Sequence, residues 1–232
     1  MTNQSNQSNQ STLQAAASAF VQQHQLYNEK YGLFEGNGII AFAESTPFES
    51  DERIPLSPEL EYWYSHYEMI DPKKPGENPR KNAAVLIGDG ILLFFAAPED
   101  LYDLQLGRRW VGVGDPDQLQ ESENWRAEHV VIATFNDDPV IADTSTPGTP
   151  IYVAYDTGKP ALAAASLADF FAALAILIEA ATELGGEIRD EDTDEVKPQY
   201  LEQIESKLDE LLGEQAANEL LLYLSLRWES WE

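Results

Sequence analysis

The sequence predicts an α+β protein whose sheet is mainly antiparallel. Apolar runs come in pairs around tight turns, at 83–96 and 128–142, which is the pattern of β-hairpins. Around these pairs stand longer stretches with apolar residues at helical spacing, at 12–31, 56–69, 166–186 and beyond 198. With 232 residues and a 43% hydrophobic content, the chain can fill one ample core.

In chain order, MTNQSNQSNQS (1–11) is a polar low-complexity repeat with nothing to bury, and predicts a disordered tail. From Thr12 to about Tyr31, Leu13, Ala16, Ala17, Phe20, Val21 and Leu26 form a loose apolar stripe, with Gly32 as the stop. GNGIIAFAEST (36–46) reads as a short strand after a turn. A helix over Leu56–Met69 is signalled by Ser57 as cap and Pro58 at the first helical position. Its Leu60, Trp63, Tyr64 and Tyr67 fall at i, i+3, i+4 and i+7, one face that reads as core.

DPKKPGENPRKN (71–82) is a loop by its prolines and glycine, and its Lys73, Lys74, Arg80 and Lys81 read as a solvated basic island. AAVLIGDGILLFFA is a hairpin around Gly88-Asp89-Gly90, and PEDLYDLQL (98–106) a short helix with an acidic first turn. A further segment starts at Arg108-Arg109-Trp110, two strands follow between Glu128 and Ala142, and IYVAYDT (151–157) adds another. SLADFFAALAILIEAATELGG (166–186) is the clearest helix, capped by Ser166 with Asp169 at the third helical position and ended by Gly185-Gly186.

Beyond Gly186 the composition shifts. Residues 187–232 carry 14 acidic against 4 basic side chains, a local net of −10. RDEDTDE (189–195) reads as a linker. Pro198 opens a helix with Leu201, Ile204, Leu208, Leu211 and Leu212 on one face, and Glu214–Trp228 a second. The expected organisation is thus a disordered tail (1–11), an α+β domain (12–186) and an acidic helical C-terminal extension (187–232).

The net charge is −27, from 41 acidic and 14 basic side chains. Such a field repels phosphate backbones and anionic membranes, so neither nucleic acid nor membrane is expected as a partner, whereas a basic protein would be steered in. The absence of Cys excludes disulfides and thiolate metal sites, and with no leader-like N-terminus it fits a cytoplasmic home. The longest apolar run, Leu167–Ala181, is too short and too charged to span a bilayer.

No cofactor and no metal is expected. Asp190, Asp192 and Asp194 alternate as in a calcium loop, but the sixth and twelfth places hold Glu195 and Leu201, and Pro198 interrupts. GVGDP (112–116) lacks the third glycine of a dinucleotide loop, and neither a P-loop nor a G-x-S-x-G elbow occurs. The only histidines are His24, His66 and His129, each isolated in sequence. A hydrolase reading survives only if folding brings His66 or His129 beside a serine and a carboxylate.

One stretch concentrates carboxylates: VVIATFNDDPVIADTS (130–145), with Asp137, Asp138 and Asp143. Asn136 to Pro139 supplies turn formers between two strands. Adjacent carboxylates on a turn point apart, so these residues read as a hairpin before they read as an acid–base pair.

The serial order of these pieces resembles the SUKH superfamily, which includes glucan-synthesis regulators of Smi/Knr type and bacterial immunity proteins. PLSPELEYWYSHYE looks like the family's aromatic helix, and AAVLIGDGILLFFAAPEDLYDL like its glycine hairpin with a short acidic helix. EHVVIATFNDDPVIADTS, IYVAYDTG and SLADFFAAL look like its closing strands and Ser-x-x-Asp-Phe helix, so the likeness covers roughly 55–180. It departs at Glu68-Met69-Ile70, where Asn-Gly is usual, at Asn136-Asp137-Asp138, where glycines are common, and in the C-terminal helices.

The resemblance implies a non-enzymatic domain with a twisted sheet flanked by helices that binds a protein. In bacteria that partner is a toxin domain, often a basic nuclease, which the immunity protein neutralises. The contact residues then expected are Asp137, Asp138, Asp143 and Asp156, with the acidic C-terminal helices as another surface. The alternative function is a regulatory or scaffold protein with an endogenous partner.

Overall fold

A computed structural model of the chain describes residues 2–34, 36–70, 82–113, 115–155 and 158–227. It is α+β, as expected. Six antiparallel strands form the main sheet: β3 (Asn82–Ile87), β4 (Ile91–Ala96), β7 (His129–Phe135), β8 (Asp138–Asp143), β9 (Ile151–Val153) and β10 (Ala161–Ala164), in the order β10-β9-β8-β7-β4-β3. Two small antiparallel pairs accompany it, β1 (Gly38–Ala41) with β2 (Tyr67–Ile70), and β5 (Trp110–Val113) with β6 (Asp115–Glu121). The helices are α1 (Thr2–Tyr31), α2 (Pro58–His66), α3 (Leu101–Leu104), α4 (Leu167–Glu183), α5 (Pro198–Leu212) and α6 (Glu214–Tyr223).

One face of the sheet is buried under α1, α2 and α4. Phe20 of α1 stacks on Phe171 of α4 at 5.2 Å between ring centroids, and Trp63 of α2 lies 4.4 Å from the same ring. Phe95 of β4 meets Phe20 at 5.8 Å, which ties the helical layer to the sheet. The C-terminal helices add Tyr200, Ile204, Leu208, Leu220, Leu221 and Tyr223 to the same continuous apolar cluster. The opposite sheet face carries a smaller cluster of Val131, Ile141 and Ala154, with Leu104, Trp125 and Tyr152 packed on it.

Side-chain amides finish the ladders where strands run out. Asn37 donates to Ala84 O at 2.7 Å and accepts from Ala84 N at 2.8 Å, closing the outer edge of β3. Gln105 does the same for Val131 of β7, where β4 has turned away. An open strand edge is a template for unwanted pairing, so these contacts also protect the sheet. At its other edge α6 packs against β10.

Three expectations are corrected. The helix forecast over Leu56–Met69 stops at His66, and Tyr67–Ile70 becomes β2, paired with β1 through Ile39 and Met69. Tyr67 still stacks on Trp63 at 4.6 Å, so the aromatic spacing foretold its burial but not its backbone. The stripe of α1 is Leu13, Ala17, Phe20, Val21, His24 and Tyr27, whereas Leu26 is 53% exposed. A hydropathy count favours leucine over histidine, but the 100° step of the helix places position 24 inward.

The helix also begins at Thr2, within the stretch expected to be a disordered tail. Adding residues to a formed helix costs far less than starting one, which accounts for its running past the apolar stripe. The basic island Lys73, Lys74, Arg80 and Lys81 lies outside the described residues.

Candidate functional site

The aspartates sit on the β7–β8 hairpin, which the structure forms with a two-residue turn. Phe135 pairs with Asp138, and Asn136 and Asp137 both take positive φ, at 51° and 68°. That is the primed turn whose twist suits a hairpin, and Asn and Asp are the non-glycine residues that best tolerate it. A bulge between Val131 and Ala133 resets the alternation of β7. Phe135 thereby faces the main core while His129 faces the opposite side.

The carboxylates do not converge. Asp137 is exposed at the turn, Asp138 is half-buried at the start of β8, and Asp143 is buried at its end. Five strand steps put roughly 17 Å between Asp138 and Asp143. Asp156 lies outside the described residues.

The turn is clamped through its backbone. Arg108 Nη2 donates to Asp137 O at 2.6 Å, and Tyr223 Oη of α6 donates to Asp138 O at 2.7 Å. Burial pushes the Tyr223 hydroxyl well above its ordinary pKa, so it stays a donor. Tyr155 packs on Tyr223 at 5.9 Å and its hydroxyl donates to Leu222 O. The hairpin tip and the C-terminal helices, expected as alternative surfaces, are therefore adjoining ones.

At the other end of β8, Asp143 is 3% exposed. Its Oδ1 accepts from Ser145 N at 3.0 Å and from Ser145 Oγ at 2.6 Å; its Oδ2 accepts from Thr146 Oγ1 and Arg126 Nη1, both at 3.3 Å. Burial raises its pKa, but the Ser145 hydrogen bonds and the Arg126 charge outweigh it and hold the carboxyl below its ordinary value. His129 Nε2 stands 3.9 Å from Oδ2 and accepts from Arg126 Nη1 at 3.0 Å. Burial and then the Arg126 charge lower the His129 pKa, which keeps the ring neutral with its proton on Nδ1.

Serine, histidine and aspartate are thus neighbours, but not in a relay. The Ser145 hydroxyl proton goes to the carboxylate, and the histidine lone pair is taken by arginine. A nucleophile needs a base on its proton, and a carboxylate held below its usual range is a weak one. The other pairing fails in its own way. His66 Nδ1 lies 2.8 Å from Tyr62 O, so it carries its proton and cannot take one from Ser65, 2.9 Å away. What the arrangement does chemically is fix the loop after β8.

That loop is held from the other side too. Glu59 of α2 accepts from Gly148 N at 3.1 Å, and Thr149 Oγ1 lies 3.0 Å from its Oε2 and 2.6 Å from Ser57 Oγ. A cleft of about 400 Å³ opens between the loop and the start of α2, lined by Glu59, Tyr62, Ser145 and Thr146. Arg126, Glu59 and the cleft were not foreseen. They come from segments up to 90 positions from their partners, and no local pattern announces them.

Among the described residues no group of three or more His, Asp or Glu side chains is placed to hold a metal, and no helix is long and apolar enough to cross a membrane. No family model, curated protein or solved structure matches the chain, so the SUKH resemblance rests on the serial order of its motifs.

Proposed function

We propose that the chain is a protein-binding module that captures a basic partner, as an immunity protein captures its toxin, through carboxylates at the β7–β8 tip and the adjoining C-terminal helices. The observation that carries this reading is the clamped tip: Asp137 is exposed on a turn where its own carbonyl is held by Arg108 and that of Asp138 by Tyr223. A carboxylate presented on a rigid turn costs little further ordering when a partner binds. Between Glu183 and Glu214 every acidic residue except Glu205 is exposed, which extends the negative field next to α6. A like-signed surface of this kind raises the association rate with a basic protein more than it raises final affinity.

Asp137 and Asp138 carry the contact in this reading, while Asp143 supports the loop from inside. The toxin class of partner comes from the SUKH resemblance. Co-purification with the product of the neighbouring reading frame, at low and high salt, tests it. Capture of a basic toxin domain that weakens with salt and with Asp137→Asn/Asp138→Asn supports the proposal. No capture, or capture indifferent to both, overturns it.

A further inference from the structure

The cleft between α1 and β1 shares no residue with the surface just proposed and has a different chemistry. It is an open groove of about 720 Å³. Its floor holds His24, which is 1% exposed and has no hydrogen-bond partner at either ring nitrogen. Three of its polar neighbours are committed: Asn28 Nδ2 donates to Asn37 O at 2.6 Å, Gln25 Nε2 donates to Ile39 O at 3.0 Å, and Asn37 is bound to Ala84; a fourth, Glu29, is exposed. Buried polar groups are almost always paired, so an imidazole with two open nitrogens calls for an explanation.

Two features around the ring point to a ligand. Leu33, Phe34 and Ile40 are 66%, 43% and 39% exposed, three large apolar side chains around one opening. Apolar side chains gathered beside a few polar groups are the usual lining of a small-molecule site. Next, Gly38 is the cleft residue that stands beside Nε2 of the buried ring. A methyl group built there would stand 3.8 Å from His24 Nε2 and 3.9 Å from Asn28 Nδ2.

We propose that this cleft binds a small uncharged ligand in which a carboxamide-type group, meeting His24 at Nε2, is joined to an aromatic or branched apolar group lying on Leu33, Phe34 and Ile40. An amide carries a donor beside an acceptor, so it serves either tautomer of the ring. A neutral imidazole gives no counter-charge to an anion, and the net charge of −27 opposes one. Burial holds His24 in that neutral form, with its pKa pushed down to about 4.

Benzamide is the probe, read by the ring ¹⁵N and ¹H resonances of the three histidines. The expected result is a saturable shift at His24 with His66 unmoved. In Gly38→Ala, whose new methyl group makes only ordinary contacts, the dissociation constant rises about tenfold or more while the melting temperature holds. His24→Phe stays folded and loses benzamide binding. Unmoved His24 resonances overturn the proposal, whether or not a water is found on the ring, and so does a shift that persists in Gly38→Ala or binding that persists in His24→Phe. None of these failures bears on the acidic surface.

Discussion

Ser145 Oγ donates to Asp143 Oδ1 at 2.6 Å, and this contact decides how the aspartate is used. The carboxylate is an internal brace for the loop it precedes, with Arg126 as its counter-charge. Hydrogen bonds to a charged group are worth roughly 1.5–3 kcal/mol, so Asp143→Asn lowers stability by about that much in urea unfolding. The sign with pH follows from the lowered carboxyl pKa. The aspartate's contribution is present above the unfolded value and is lost as pH falls through the folded one, so Asp143→Asn flattens the acid limb below about pH 4. Partner affinity in that variant stays at the wild-type level.

His24 predicts a second pH effect in a separate window. Its folded pKa lies near 4 against 6.5 unfolded. The unfolded chain therefore binds a proton between those values that the folded one does not, and stability falls as pH drops from 6.5 towards 4. The shift corresponds to about 3 kcal/mol. His129, also lowered, acts in the same direction. Denaturant unfolding across this range loses most of its slope in His24→Phe.

The turn offers a variant that separates folding from binding. Asp137 holds φ at 68°, which glycine adopts without steric cost, and Asn-Gly is the favoured pair for such a turn. Asp137→Gly raises stability by about 0.5–1 kcal/mol in thermal melting, consistent with the penalty of left-handed backbone, yet weakens partner binding.

Gln105 is 1% exposed and supplies both hydrogen bonds that complete Val131. Gln105→Ala leaves a buried N–H and C=O unpaired and costs about 2–4 kcal/mol. Hydrogen exchange at the Val131 amide accelerates more than at Ile141, its cross-strand partner.

Local chemistry was the legible part of the sequence. Ser166 accepts from Asp169 N at 3.1 Å and donates to its carboxylate at 2.7 Å, an N-cap visible as Ser-x-x-Asp. Ser57 caps α2 through Leu60 N, and the hairpins at Asp89 and Asn136 close where their turn residues stand. What local chemistry could not reveal were contacts across the fold. Tyr67 leaves the helix because β1 is there to pair with, and β10, only ALAA, is a strand because β9 lies beside it. The three aspartates were legible as a hairpin, but not the Arg126 counter-charge on Asp143, which comes from 17 positions away and reaches it only once β7 and β8 are paired.

In the proposed function, exposed carboxylates at the β7–β8 tip and the C-terminal helices steer a basic protein partner. The most direct test of this steering is the association rate constant with the co-purified partner, measured by stopped-flow across ionic strength for wild type and Asp137→Asn/Asp138→Asn. The expected rate falls steeply with salt, with a shallower slope in the double variant and little change in dissociation rate. A rate independent of salt and identical in the two proteins would contradict it.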